Sequence, residues 1–219
     1  MSNLIVSPSI LSADFADFGG AIAEIDASGA AWLHLDVMDG SFVQNLTFGP
    51  ALLRSLRSRT KLFFDAHLMI VRPERHIQEF AEAGANAITV HYEANNNPIG
   101  LLKEIKKLGV SPGITIVPET PIGVLEEILP YIDLALIMTV PPGYGGQQLI
   151  PECLKKVKKL AEMRQKAGLN FKISVDGGIN EETAPSAIEA GADVLVIGSS
   201  FFKSTNKKKL VEFLQKIGE

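Results

Sequence analysis

Eight times along this chain a short β-branched run gives way to an amphipathic stretch, and this alternation restricts the fold more than any other feature. Apolar runs predict strands at Leu4–Ile10, Trp32–Val37, Leu62–Met69, Ala87–His91, Ser111–Val117, Leu134–Thr139, Phe171–Val175 and Asp193–Ile197. Helical periodicity fills the gaps: Phe18–Ser28, Pro50–Ser58, Pro73–Ala83, Ile99–Leu108, Pro121–Leu129, Pro151–Ala167, Asn180–Ala190 and Lys207–Lys216. Several helices open on proline, whose missing N–H costs nothing in the first turn. Several close on glycine, as at Ser28-Gly29, Ala83-Gly84, Leu108-Gly109, Ala167-Gly168 and Ala190-Gly191. Strict strand–helix alternation means parallel strands joined by right-handed crossovers. Eight such units in 219 residues have the size of a compact (β/α)8 barrel. An open doubly wound sheet would carry a glycine-rich turn after its first strand, but Leu11-Ser12-Ala13-Asp14-Phe15 stands there. With no linker, low-complexity tract or break in composition, a single α/β barrel domain over residues 1–219 is expected.

Composition narrows the function. At 46% apolar and 21% charged residues the chain can bury a large core, which excludes intrinsic disorder. A net charge of -4 argues against binding nucleic acid by neutralising its phosphates. A small phosphate ligand is still compatible, because backbone N–H groups can hold one without a basic surface. The lone Cys153 precludes an intrachain disulfide and suits a reducing compartment. The opening Met1-Ser2-Asn3-Leu4 carries no basic, then apolar, leader, and no apolar run approaches the roughly 18 residues of a bilayer span. A cytoplasmic protein without membrane contact is expected.

Parallel strands are buried on both faces and should read as almost uninterrupted apolar runs. The exceptions therefore carry information. In Trp32-Leu33-His34-Leu35-Asp36-Val37, His34 and Asp36 are two apart and share a face. His67 sits near the C-terminal end of the third strand and Asp176 follows the seventh. In a barrel such strand ends gather at one mouth, where active sites lie. Two imidazoles and two carboxylates converging there make a first shell for a divalent metal such as Zn, Fe(II), Mn or Co. Each alone reads better as an internally bonded core residue; together they point to a site. His76, beside Arg75, reads as solvent-facing, and His91 is open between a supporting and a purely structural role.

Two glycine loops follow the last two strands, Asp176-Gly177-Gly178-Ile179-Asn180 and Ile197-Gly198-Ser199-Ser200. Loops at those places, with a short helix N-terminus, commonly hold phosphate in barrels. After the sixth strand, Pro141-Pro142-Gly143-Tyr144-Gly145-Gly146-Gln147-Gln148 has the make-up of a loop that hinges over a ligand. Met38, Met69 and Met138 also fall near strand ends, as core filler that would line the site with apolar sulfur. The lysines of Lys155-Lys156…Lys158-Lys159 and Lys207-Lys208-Lys209 read as solvated helix faces, and Cys153 as an inert thiol.

Five of these motifs, in this order and spacing, resemble the ribulose-phosphate 3-epimerase family: Ser7-Pro8-Ser9-Ile10-Leu11-Ser12-Ala13-Asp14-Phe15, His34-Leu35-Asp36-Val37-Met38-Asp39-Gly40, Asp65-Ala66-His67-Leu68-Met69, Pro142-Gly143-Tyr144-Gly145-Gly146-Gln147 and Val175-Asp176-Gly177-Gly178-Ile179. The resemblance runs from about residue 4 to 203. It implies a TIM barrel and the interconversion of D-ribulose 5-phosphate and D-xylulose 5-phosphate in the pentose phosphate pathway. It also implies one divalent cation per subunit, held by His34, Asp36, His67 and Asp176. By the same resemblance Asp36 takes a proton on one face of the sugar and Asp176 returns one on the other. Ser9 and His67 are then substrate contacts, while Gly143, Tyr144, Gly145, Gly146, Gly177, Gly178, Gly198 and Ser199 hold the substrate and its phosphate. The implied partners are a phosphorylated ketose and, in a homo-oligomer, further copies of the chain.

The residues agree with this chemistry on their own terms. Inverting a carbon beside a ketone needs a base on one side and an acid on the other, and two carboxyls serve if one stays protonated. A Lewis-acidic cation would stabilise the enediolate between them. Gln44, Val117 and Pro141 depart from the family pattern, where Pro, Asn and a polar residue are usual; none removes a ligand or an acid/base. A ketohexose 6-phosphate epimerase, acting for example on allulose 6-phosphate, is the nearest alternative. A phosphosugar lyase or decarboxylase would need a lysine in an Asp-x-Lys-x-x-Asp strand, which Asp65-Ala66-His67-Leu68-Met69-Ile70 lacks. A phosphosugar-binding protein without activity would have no need of the intact His34, Asp36, His67 and Asp176.

Overall fold

The computed structural model describes residues 4–218, so the opening Met1-Ser2-Asn3 read above lies outside them. Eight parallel strands form one sheet: β1 Ile5–Pro8, β2 Trp32–Met38, β3 Phe63–Met69, β4 Ala87–His91, β5 Ser111–Ile116, β6 Leu134–Met138, β7 Lys172–Asp176 and β8 Val194–Ile197. From β2 to β8 each strand pairs with the next, and β8 returns to β1, the order β1-β8-β7-β6-β5-β4-β3-β2. The remaining seam, between β1 and β2, is drawn together by a parallel bridge from Ser9 to His34. The result is the (β/α)8 TIM barrel that strict alternation predicts.

The pleat sorts the side chains. Leu33, Leu35 and Val37 of β2, Phe64, Ala66 and Leu68 of β3, and Ile88 and Val90 of β4 join one large apolar core shared with the helices. The alternate residues project into the barrel. There Trp32, Ala87, Leu134 and Val194 pack as one layer from the even-numbered strands, with Trp32 stacked on Phe63 at 4.2 Å. Four side chains from alternate strands is the layering expected of a filled barrel. Leu136, Met138, Val140 and Val196 form a second apolar group higher up. The inward set also contains almost every buried polar residue of the strands, among them His34, Asp36, Asp65, His67, Thr89 and His91. A floor of apolar side chains thus carries a polar layer toward the C-terminal mouth.

The helices are α1 Phe18–Ser28, α2 Pro50–Arg57, α3 Ile77–Glu82, α4 Pro98–Lys107, α5 Glu152–Ala167, α6 Ala184–Glu189, α7 Ser199–Lys203 and α8 Lys207–Lys216. Their ends follow local chemistry. The Asp17 carboxylate accepts from Gly20 N–H at the start of α1 and Asn97 accepts from Gly100 N–H at the start of α4. Three expected helices differ. Pro121–Leu129 forms no α-helix but two 3-10 turns, Ile122–Leu125 and Leu129–Tyr131. Gly123, the β-branched Ile122 and Val124, and Pro130, which lacks the N–H of an α-helical bond, explain the change. Pro73–Ala83 breaks into a 3-10 turn, Pro73–Arg75, followed by α3. The helix expected from Asn180 begins only at Ala184, because the Asn180 side chain accepts from Glu182 and Thr183 N–H and holds a turn instead. The short α7 was not expected as a separate helix.

Candidate active site

His34 and Asp36 on β2, His67 on β3 and Asp176 at the end of β7 come together at the C-terminal mouth, as the strand pattern predicts. One donor atom from each lies within 4.8 Å of all the others. The His34 Nε2 atom is 3.3 Å from Asp36 Oδ1, 3.3 Å from His67 Nδ1 and 3.8 Å from Asp176 Oδ2. His67 Nδ1 is 3.2 Å from Asp36 Oδ1. Tetrahedral coordination with bonds of about 2.05 Å places neighbouring donors about 3.3 Å apart. The donor types suit a divalent cation, His34, Asp36 and His67 stand close to that spacing with Asp176 farther out, and the four residues are a candidate metal-binding group.

The surroundings fix these side chains. Asp36 Oδ2 accepts a 2.5 Å hydrogen bond from the Ser9 hydroxyl, so its Oδ1 is left facing the cluster. His34 Nδ1 faces Asp65 Oδ2 at 3.0 Å, and Asp65 Oδ1 accepts from the Thr89 hydroxyl at 3.0 Å. A ring nitrogen that donates to a carboxylate leaves the other nitrogen bare, the usual support of a metal-bound histidine. The outer Nε2 of His67 meets His91 Nε2 at 2.9 Å. Sequence reasoning passed over Asp65 and left His91 open. The clue for Asp65 was a buried acid two residues before His67 on the same face of β3.

The two carboxyls behave differently. Burial opposes ionisation of Asp36, yet His34 and His67 outweigh it and hold the group well below the usual carboxylate range. At Asp176 burial and then the negative charge of Asp36 act together, and its pKa is pushed up to about 6. Burial also works against charge on His34, but Asp36 and Asp65 outweigh it and its pKa rises well above the ordinary histidine value. For His91 burial dominates and lowers the pKa to about 4. Glu93, beside it, is held down to about 2 against the effect of its burial by the His91 ring facing it and by hydrogen bonds from the Thr120 hydroxyl and Val117 N–H.

A small cavity of about 60 Å³, open to solvent at the barrel mouth, lies over the cluster. Ser9, Asp36 and Asp176 line it with Met38, Met69 and Met138, which are all buried. Gly143, Tyr144, Gly145 and Gly146 form one wall, and Gly177, Gly178, Gly198 and Ser199 another. Of the expected site residues only His34 and His67 do not line the cavity, since they lie beneath its floor. The turn at Asp176-Gly177 is pinned by the Thr139 hydroxyl, which donates to both carbonyls. Ser200 Oγ donates to the Ile179 carbonyl at 2.8 Å and staples the loop after β8 to the loop after β7. Gly178 has φ +67°, and a Cβ there would stand 2.2 Å from Leu149 N, so the close backbone packing of this loop admits only glycine. The loop after β6 is tied across the mouth by Asn45 Nδ2, which donates to the Gly143 carbonyl at 2.9 Å. Pro141 lines the cavity, Gln44 is exposed, and Val117 does not line it but bonds Glu93 through its N–H. His76 is exposed, as expected.

Lys156 differs from its expected place on a solvated face. It is half-buried, and its Nζ donates to the carbonyls of Val117, Pro118 and Thr120 at 3.3, 2.5 and 2.6 Å. Cys153 is buried at the start of α5 and burial raises its thiol pKa, which suits an inert thiol. No helix among the described residues is long and apolar enough to cross a membrane.

Comparison with known proteins follows the same line. A curated ribulose-phosphate 3-epimerase of Treponema pallidum is 51% identical over 205 residues, covering 94% of each chain. One from Synechocystis is 47% identical over 206 residues, covering 93% of this chain and 90% of the relative. A solved 3-hexulose-6-phosphate synthase from Salmonella typhimurium superposes with a TM-score of 0.68 over 98% of each chain at 14% identity, which shows a shared barrel and nothing more. The model of the ribulose-phosphate 3 epimerase family matches residues 5–202, so with these barrel-mouth residues the chain belongs to that family of enzymes.

Proposed function

We propose that this chain interconverts D-ribulose 5-phosphate and D-xylulose 5-phosphate by moving a proton at C3 between Asp36 and Asp176. The observation that carries the proposal is one cavity in which two carboxyls of opposite bias, Asp36 held ionised and Asp176 with its pKa raised to about 6, flank the same cluster of donors. Such a split is how two chemically identical groups take the roles of base and acid. Asp36 removes the C3 proton while the Ser9 hydroxyl steadies its carboxylate through Oδ2. Asp176 then delivers its proton to the other face of the planar intermediate. Turnover leaves the two protonation states exchanged, so the reverse reaction uses the same pair with the roles swapped. Met38, Met69 and Met138 surround the intermediate with groups that neither donate nor accept protons, and the loop after β6 excludes water above it.

His34, Asp36, His67 and Asp176 would hold a divalent cation, Zn, Fe(II), Mn or Co. When bound, it would supply Lewis-acid stabilisation of the negative charge that develops on the sugar, worth several kcal/mol. The phosphate would rest on the backbone N–H groups of Gly177, Gly178, Gly198 and Ser199, where glycine lets the chain approach the anion. Gly143 to Gly146, Tyr144 included, would close over the sugar. The expected assembly is a homo-oligomer.

A coupled assay on ribulose 5-phosphate and on allulose 6-phosphate, with elemental analysis of the same sample, tests the reading. Turnover of the pentose phosphate with about one equivalent of a divalent metal is expected, together with loss of activity on chelation and recovery on adding the metal back. Preference for the hexose phosphate would replace the substrate assignment. Full activity in chelated, metal-free protein would remove the cation.

A further inference from the structure

His67 can serve a cation only if the nitrogen facing the cluster is bare. For His34 the matter is decided by a carboxylate: Asp65 can only accept, so Nδ1 keeps its hydrogen and Nε2 is the nitrogen left for a cation. His67 has no acid at its outer nitrogen. Its Nε2 lies 2.9 Å from His91 Nε2, and two imidazole nitrogens at that distance share one hydrogen between them. If His91 owns it, His67 must carry its own hydrogen on Nδ1, pointing into the cluster and blocking the donor. If His67 owns it, Nδ1 is bare.

The deciding group stands one step farther out. The Nδ1 atom of His91 is fully buried and makes no hydrogen bond of good geometry among the described residues; facing it at 3.4 Å is Glu93 Oε2. The other oxygen of that carboxylate accepts from Val117 N–H at 3.0 Å and from the Thr120 hydroxyl. Lys156 gathers the carbonyls of Val117, Pro118 and Thr120 and so holds the segment that anchors Glu93. An anion opposite His91 Nδ1 favours a hydrogen there and opposes a lone pair; His67 Nδ1 in turn faces Asp36 Oδ1 at 3.2 Å, and with a cation seated between those two atoms no hydrogen is called for on that side. His91 Nε2 is then bare and accepts, and His67 must donate to it through Nε2.

We infer that His91 and Glu93 are positioning residues that set the hydrogen of His67 on Nε2 and so leave Nδ1 open to the cation. The pair does for His67, in two links, what Asp65 does for His34 in one. The ring of Phe42, 4.6 Å from His91, covers the relay. The inference rests on the reading of His34, Asp36, His67 and Asp176 as a cation site.

The test measures zinc affinity of the full-length chain by competition with a chromophoric chelator, in wild type, His91→Phe, His91→Gln and Glu93→Gln, with thermal unfolding of the metal-free proteins recorded alongside. Phenylalanine keeps the stacked ring but accepts nothing, and zinc affinity should fall about 10- to 100-fold, as for other partners of metal-bound histidines. Glutamine at 91 can accept from His67 and donate to Glu93, and should bind within about threefold of wild type. Glu93→Gln retains hydrogen-bonding capacity but no longer dictates the tautomer, and should weaken binding by about threefold or more. The cobalt-substituted forms should show shifted visible bands in His91→Phe and unshifted ones in His91→Gln. Wild-type zinc affinity in His91→Phe overturns the inference; should that variant not fold, wild-type affinity in Glu93→Gln overturns it. A wild-type chain that binds no zinc or cobalt at all fails at the underlying cation site instead, which is a separate result.

Discussion

Replacing Asp176 with asparagine should stabilise the metal-free protein while abolishing turnover. The carboxyl has an ordinary pKa of 3.8 and one of about 6 in the folded chain. The folded state therefore holds its proton more tightly than the unfolded state does. The stability this confers is complete below pH 3.8 and is lost as pH rises through 6. A difference of about two pH units, at 1.36 kcal/mol each, makes the ionised group cost on the order of 3 kcal/mol at pH 8 and about 1 kcal/mol near pH 4.5. Asparagine resembles the protonated acid at every pH and escapes this cost. Urea unfolding of chelated wild-type and Asp176→Asn proteins should show a stability difference that grows from near zero at pH 3 toward about 3 kcal/mol at pH 8. Saturating divalent metal should reverse the order, since tight binding to the wild-type site adds about 4 kcal/mol at a thousandfold excess over Kd. A variant less stable than wild type at pH 8 without metal, or a difference that does not change with pH, would refute the electrostatic account of Asp176.

Asp36→Asn should lower kcat by about 10²- to 10⁴-fold, the usual worth of a general base, while inhibition by inorganic phosphate is unchanged; near-wild-type turnover would take the base role from Asp36. Asp65→Ala should cost about 2–5 kcal/mol in urea unfolding, because it strands the buried His34 Nδ1–H and the Thr89 hydroxyl, whereas Asp65→Asn can still pair with both and should cost about 1 kcal/mol. Equal costs for the two would mean that the hydrogen bonds to Asp65 do not matter. Gly178→Ala places a methyl group on the backbone of Leu149 at positive φ, and should raise KM for the sugar phosphate about tenfold, equivalent to 1.4 kcal/mol, with a smaller change in kcat; an unchanged KM would remove the loop from phosphate binding.

The barrel and the centre of its site were legible for one reason: buried parallel strands leave no room for casual polar residues, so His34, Asp36, His67 and Asp176 stood out as exceptions. Their supports were harder to see. Asp65 stabilises a histidine 31 positions away, and that pairing depends on the register of β2 against β3, which no local pattern encodes. Glu93 lies in a 3-10 turn after β4 and meets Val117 and Thr120 only because β4 and β5 are neighbours. Lys156 sits in a lysine-rich helix whose charge pattern reads as solvated, and its capture of three carbonyls depends on where α5 packs. The failed helix at Pro121–Leu129 is a matter of propensity: an amphipathic rhythm outvoted Gly123 and Pro130 in the reading, but not in the fold.

The seam between β1 and β2 links wear of the barrel to loss of its chemistry. Where the other strands meet along ladders, these two are fastened by the bridge at Ser9 and His34, the same residues that steady Asp36 and present a nitrogen to the cluster. Partial opening of the cylinder at this stave would scatter the reactive groups while seven neighbouring joins stay closed. Heat inactivation is accordingly expected to precede the loss of helical circular dichroism.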